Sequence, residues 1–144
     1  MVDNIEPLHI AYVVPTMDRP NDLRKLIHSL KCQTMGVDQI IVVDGSELSI
    51  ENVISEFPEL DITYVRVFPP SLAKQRNAGM AELDDNITIA GYLDDDLVLE
   101  PDATERMIEF WETANNNIGG AAFSILNQPI ATANRLASLF LLDD

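Results

Sequence analysis

Three consecutive carboxylates, Asp94, Asp95 and Asp96, are the residues of this chain whose type and spacing most directly suggest chemistry. They follow an apolar run in the stretch "GYLDDDLVLEP", and like charges this close together repel one another unless a cation lies between them. Carboxylates at alternate positions, such as Asp94 and Asp96, can converge on one hard divalent cation, which prefers oxygen ligands. Asp95 would then point elsewhere, for example towards a hydroxyl. A solvated acidic turn is the competing interpretation, so the position of the triplet in the fold has to decide.

Strand-like and helical segments alternate along the chain, and they determine where the triplet lies. Four apolar, β-branched runs predict buried strands: "HIAYVVPT", "QIIVVDGSE", "ITYVRVF" and "ITIAGYL". Apolar residues at helical spacing predict helices between them, which begin at Pro20 or Asn21, at Ser49 and at Ser71. Because parallel strands need crossover connections, this order predicts an α/β fold with a mostly parallel sheet flanked by helices.

Other expectations concern helix faces and the later part of the chain. The second helix should run to Pro58, and the third should bury Leu72, Met80 and Leu83. After the triplet we expect a helix from Pro101, a strand over "AAFSILN" and an apolar-leaning helix over "ATANRLASLFLL". Cys32 is the only cysteine, which excludes an intrachain disulfide, and we expect its side chain to be buried.

The triplet follows the last of the four predicted strands that alternate with helices. In parallel sheets of α/β proteins, ligands bind beyond the carboxyl ends of the strands. Four segments lie just past those ends and could line one site: 15–19, 44–46, 69–71 and 94–96. This position favours a functional interpretation of the triplet over a solvated turn.

The charge of the chain limits its partners. A formal net charge of −15 disfavours nucleic acid and anionic membrane surfaces, because both are bound through Lys and Arg. No signal-peptide pattern opens the sequence and no apolar run is long enough to cross a bilayer, so we expect a cytoplasmic protein.

The chain contains, in this order, the stretches "VVPTMDRP", "IIVVDGSE", "SLAKQRNAGM" and "GYLDDDLVLEP". Together they resemble the nucleotide-sugar-binding half of family 2 glycosyltransferases. The resemblance covers nearly all of the chain. It implies a Rossmann-like GT-A fold in one domain over residues 1–144, which binds a nucleotide-diphosphate sugar, with UDP-sugars as the first choice. It further implies transfer of the sugar to an unknown acceptor with inversion, assisted by a divalent metal, Mn²⁺ or Mg²⁺.

The resemblance also implies roles for individual residues. Pro15 and Thr16 would wrap the base, and Asp44 would hydrogen-bond it; a helix cap or turn residue in "DGSE" is the alternative for Asp44. Asp96 would ligate the metal together with Asp94, while Asp94 and Asp95 would also approach the ribose. The candidate nucleotide-binding residues are Pro15, Thr16, Arg19, Asp44, Arg76, Asn77, Asp94 and Asp95.

A sugar diphosphate and an acidic triplet are both negatively charged. Near a surface, a close pair of unit charges interacts by about 4 kcal/mol, so a divalent cation is needed to bridge the two. Such an ion would also act as a Lewis acid for the departing nucleoside diphosphate. Arg76, or else Lys74, could add to this stabilisation, although a solvated helix face is the alternative for both.

The chain also departs from the pattern of the family. Proteins of this kind usually continue into a half that binds the acceptor and supplies a carboxylate general base. No counterpart can be placed here, and Asp143 and Asp144 at the chain end are poor candidates. "VVDGS" also has one Asp where relatives often have two.

Two other classes of protein have to be considered. A phosphoacceptor receiver domain gathers acidic residues after its first strand, and "VVPT" has none. A non-catalytic nucleotide-binding or regulatory module of the same fold stays open. The predicted last helix would expose an apolar face that could form a homodimer, through Leu136, Leu139, Phe140 and Leu142.

Overall fold

Four parallel strands form one sheet in the computed structural model, which describes residues 7–126. The strands are β1 (Ile10–Thr16), β2 (Gln39–Asp44), β3 (Ile62–Arg66) and β4 (Ile89–Tyr92). Their order across the sheet is β3-β2-β1-β4, and every pair is parallel. The predicted alternation and the parallel sheet are therefore confirmed.

Helices connect and cover these strands. They are α1 (Pro20–Lys31), α2 (Glu51–Ile54), α3 (Leu72–Ala81) and α4 (Ala103–Thr113). Pro20 lies at the first helical position of α1, where its missing N–H costs no hydrogen bond and its fixed φ suits the helix.

The two central strands hold the core. All residues of β1 and β2 are buried, because both faces of the sheet are covered. On one face, Tyr12 and Val14 pack with apolar residues of α1 and with Ile108 of α4. On the other face, Val13 and Val43 pack with residues near α3. The ends of β1 and β2 are thus packed on both faces, which holds in place the residues that follow them.

Helix α3 packs on a different face from the one that its apolar residues predict. Leu72 and Met80 are exposed, whereas Gln75 and Gly79 are buried. A Cβ built on Gly79 would lie 2.3 Å from Cγ1 of Val13, so the helix backbone lies directly on the sheet there. The predicted buried face was wrong for Leu72 and Met80 because a small residue, and not a large apolar one, makes the close contact.

Three other expectations need correction. Helix α2 is only four residues long and is followed by turns up to Pro58. Residues 121–126 form no strand, although "AAFSILN" was predicted to be one; only Ile125 in this stretch is β-branched, and two glycines precede it. Cys32 is exposed just after the end of α1.

The predicted last helix, its dimer interface, and Asp143 and Asp144 lie outside the described residues. None of the helices within residues 7–126 has the length and apolar character needed to cross a membrane.

Candidate functional site

The register of the sheet brings the candidate residues to one edge. Thr16, the last residue of β1, lies opposite Asp44, the last residue of β2. On the other side of β1, Val13 lies opposite Tyr92, the last residue of β4. The backbone N–H of Leu93 then donates to the carbonyl of Val13 at 3.1 Å. The acidic triplet therefore begins beside the final residues of β1.

Asp95 joins the loop after β1 to the loop after β4. Its side chain is buried and accepts a hydrogen bond from Oγ1 of Thr16 at 2.8 Å. The guanidinium of Arg19 donates to its other oxygen at 3.2 Å. The alternation predicted for the triplet is present, and the hydroxyl to which Asp95 points is that of Thr16. Pro15 is buried next to it, in β1.

The other two carboxylates of the triplet point outward. The side chains of Asp94 and Asp96 are 66% and 57% exposed. Arg76 lies 3.6 Å from Asp94, and Arg19 lies 3.4 Å from Asp96. We call the cluster formed by Thr16, Arg19, Arg76 and the triplet the crevice. Two arginines thus flank its acidic centre.

Arg76 reaches the crevice from α3. Its guanidinium lies over the ring of Tyr92, 5.1 Å from the centroid, in a cation–π contact. Its Nε is buried and has no hydrogen-bond partner among the described residues. Asn77 and Lys74, on the same helix, are exposed, and within residues 7–126 no hydrogen bond joins them to the other candidates. The structure therefore brings Arg76 into the crevice but not Asn77.

Asp44 lies at the same edge but is fully buried. Its carboxylate accepts hydrogen bonds from the backbone N–H of Ser46 at 2.8 Å, from that of Ile50 at 3.2 Å and from the hydroxyl of Tyr64. Arg66 adds a charge, with its Nε 3.7 Å away. Both oxygens are thus engaged by the protein, and the contact with a base stays a prediction.

Two opposing effects act on the pKa of Asp44. Burial alone would raise this pKa, since it disfavours the charged form. Hydrogen bonds from Ser46, Tyr64 and Ile50 outweigh burial and hold the pKa below its usual range. The pKa of Tyr64 is raised by burial and by its bond to the Asp44 carboxylate. Asp44 is therefore ionised at neutral pH and keeps its acceptor role.

Further polar contacts tie the loops together, and sequence reasoning did not identify them as a network. Oγ of Ser46 accepts from the backbone N–H of Asp18 at 2.8 Å, and Asp18 has a positive φ of 55°. The amide of Gln75 donates to the carbonyls of Thr16 and Val43, both at 2.9 Å. Gln75 stands in the quoted stretch "SLAKQRNAGM", but its partners lie 59 and 32 residues away along the chain. These contacts fix the loops after β1 and β2.

A separate cavity of about 800 Å³ lies beside β4 and reaches Asp96. Most of its lining is apolar and comes from β1, β4, the segment 96–100, α4 and residues 119–126, including Tyr12, Leu99, Met107 and Phe123. Such a lining suits packing better than it suits a diphosphate, so the charged crevice remains the candidate site.

Two carboxylates of the crevice could contribute ligands to a hard divalent cation. Asp94 and Asp96 offer exposed carboxylate oxygens, which are the ligands that Mn²⁺ and Mg²⁺ prefer. No group of three or more His, Cys, Asp or Glu side chains that could hold a metal occurs in residues 7–126. The residues fit a cation that completes its shell with waters or phosphate oxygens.

Comparison with known proteins identifies the family. The sequence model described as Glycosyl transferase family 2 matches residues 12–134. The chain belongs to glycosyltransferase family 2. This family match and the parallel sheet confirm the predicted resemblance and the GT-A type of fold.

One curated family relative is the glycosyltransferase GlyA of Streptococcus pneumoniae, 32% identical over 101 residues. That match covers 68% of this chain but 14% of GlyA. Among solved structures, S. aureus TarS 1-349 is similar with a TM-score of 0.66 and 16% identity, covering 84% of this chain and 40% of that one. TarS 1-349 in complex with UDP matches with a TM-score of 0.65 and 16% identity, over 73% and 32% of the two chains. The family 2 chain therefore spans less than half of the length of these proteins.

Proposed function

We propose that this chain is the nucleotide-sugar-binding domain of a glycosyltransferase that transfers a sugar to an acceptor with inversion. The observation that carries the proposal is the junction at the crevice, where Thr16 and Arg19 are bonded to Asp95 and leave Asp94 and Asp96 exposed. Family membership supports transferase chemistry, and the solved complexes of TarS with UDP and UDP-GlcNAc support a UDP-sugar as the ligand.

The charges of the crevice suit a sugar diphosphate. Asp94 and Asp96 would hold Mn²⁺ or Mg²⁺, which when bound would take up negative charge as the nucleoside diphosphate departs. Arg76, whose partly exposed guanidinium lies 3.6 Å from Asp94, would donate to a phosphate oxygen. Thr16 and the loop held by Asp44 would face the base and ribose. The chain's own residues thus bind, orient and neutralise the donor.

Calorimetry tests this proposal. UDP, GDP and UMP would each be titrated into the chain with Mn²⁺ and with a chelator. We expect UDP to bind more tightly with Mn²⁺, and UMP to gain less, because it lacks the second phosphate that a metal can bridge. Equal binding with metal and with chelator would contradict the metal-dependent part of the proposal.

An assay of sugar transfer and of UDP-sugar hydrolysis then separates an enzyme from a binding module. Release of UDP from a UDP-sugar would support the enzyme, and the anomeric configuration of the released sugar, measured by NMR, would test inversion. Metal-dependent binding without any release would favour a non-catalytic module of the same fold.

A further inference from the structure

Arg19 already supplies positive charge to two carboxylates of the acidic triplet. It precedes α1, and its guanidinium lies 3.2 Å from Asp95 and 3.4 Å from Asp96. We propose that Arg19 is a built-in counter-ion of Asp96, which a divalent cation displaces and which then turns to the phosphates of the donor. This inference rests on the proposed function, since it concerns the same crevice.

The two contacts of Arg19 differ in a way that permits exchange. Asp95 is nearly buried and is also held by Thr16, so this contact anchors the arginine in the crevice. Asp96 is 57% exposed, and the contact is longer, so solvent screens it. The contact with Asp96 is therefore the one that can break while Arg19 remains attached to Asp95.

Displacement is expected from charge alone. A divalent cation at Asp96 would carry two positive charges to the place where the guanidinium lies, and like charges at that distance repel. The arginine would be left facing the phosphates, whose oxygens accept from a guanidinium in a bidentate manner. One side chain would thus oppose metal alone and favour metal together with a diphosphate.

This dual role predicts that one variant gains affinity for Mn²⁺ alone and loses affinity for UDP in the presence of Mn²⁺. In Arg19→Gln, Mn²⁺ alone should bind about two- to tenfold more tightly, because a competing charge is gone. UDP in the presence of saturating Mn²⁺ should bind several-fold more weakly, because a phosphate contact is lost. Arg19→Lys should keep the wild-type affinity for Mn²⁺ alone, since it retains the charge.

The experiment is a titration of Mn²⁺ followed by the electron paramagnetic resonance signal of the free ion, without nucleotide. Lys25→Gln is the matched control, because it removes the same charge from α1, where Lys25 pairs with Asp22 at 3.0 Å. A gain in Arg19→Gln that Lys25→Gln does not show supports the inference. Equal Mn²⁺ affinity in wild type and Arg19→Gln, or an equal gain in both variants, overturns it.

Calorimetry with UDP separates a failure of the counter-ion role of Arg19 from a failure of the proposed function. If wild type binds UDP with Mn²⁺ but Arg19→Gln shows no change for Mn²⁺ alone, the counter-ion is rejected and the proposed function stands. If wild type does not bind UDP with Mn²⁺, the proposed function fails and the exchange onto phosphates fails with it.

Discussion

Asp44 ends β2 and Asp96 follows β4 at the same edge of the sheet, but their surroundings are opposite. Asp44 is fully buried, and its oxygens accept from two backbone N–H groups and a tyrosine hydroxyl. Asp96 is more than half exposed, and its contact in the described part of the chain is Arg19 at 3.4 Å. A buried carboxylate whose oxygens all accept hydrogen bonds holds its loop in place. An exposed carboxylate with one weak partner is free to exchange ligands.

The largest effect should come from removing the buried carboxylate. Asp44→Ala leaves the N–H groups of Ser46 and Ile50 and the Tyr64 hydroxyl without their acceptor. At about 1 kcal/mol or more for each buried unpaired donor, we expect a loss of about 3 kcal/mol in the free energy of unfolding, measured in urea. Asp61→Ala, at an exposed aspartate just before β3, should change it little.

The same variant tests the predicted contact of Asp44 with the base. If the base donates to this carboxylate, or if the loop that it holds faces the base, UDP affinity should fall by about 1–3 kcal/mol. The enhancement by Mn²⁺ should persist, because the triplet is intact. Unchanged affinity in the folded variant would restrict Asp44 to holding its loop.

Removing the exposed carboxylate of Asp96 should affect ligand binding more than stability. Asp96→Asn keeps the size of the side chain but removes the charge that attracts a cation, so Mn²⁺-dependent UDP binding should fall by at least about 10- to 100-fold, the usual cost of losing even an outer-shell partner. Stability without ligand should change little, because relief of repulsion within the triplet offsets loss of the exposed contact with Arg19. Asp85→Asn, an exposed aspartate in the turn between α3 and β4, is the matched control.

A pair of calorimetric titrations, with Mn²⁺ and with chelator, measures this difference. Weak metal-free binding should survive in Asp96→Asn. An equal enhancement by Mn²⁺ in wild type and Asp96→Asn would rule out Asp96 as a metal ligand and would remove the contrast with Asp44.

The contrast between Asp44 and Asp96 also shows which features of the site can be predicted from the sequence. The ends of apolar strands can be read from the sequence, so the common edge of Thr16, Asp44 and the triplet was predictable. The burial of Asp44 and its partner Tyr64 was not, because Tyr64 lies 20 residues away and its spacing carries no signal of the contact. The contacts of Gln75 were not predictable either. Its side-chain amide donates from α3, a helix of weak amphipathic character, to carbonyls near the ends of β1 and β2.

Helix α3 shows a second limit. Apolar spacing identifies a buried face only where large side chains make the contact. At Gly79 the helix approaches Val13 so closely that a methyl group would collide with it, and this approach turns Leu72 and Met80 outward. Arg76, on the same helix, thereby reaches Asp94.

A smaller effect is expected from Tyr64. Tyr64→Phe removes one of the donors to Asp44 and keeps the ring, so the free energy of unfolding should fall by about 1 kcal/mol. Tyr92→Phe is a matched control, because Tyr92 is 45% exposed and its ring contact with Arg76 survives the change. Equal losses in the two variants, measured in urea, would mean that the hydroxyl of Tyr64 adds nothing to the loop.

The smallest effect, and the most specific to the buried carboxylate, is a dependence on pH. Hydrogen bonds from Ser46, Tyr64 and Ile50 outweigh burial and lower the pKa of Asp44, so the unfolded chain takes up this proton at a higher pH than the folded one. The stability contributed by the charge is therefore fully present above the ordinary aspartate pKa, about 3.9, and is lost as the pH falls through the lower folded value.

Asp44→Asn has no such proton, and the other carboxylates contribute alike to both proteins. The gap in unfolding free energy between wild type and Asp44→Asn should thus narrow below about pH 4, by at most about 1.4 kcal/mol per pH unit. Urea unfolding at a series of pH values measures this gap. A constant gap from neutral to acid pH would show that the shape of the side chain, and not its charge, holds the loop after β2.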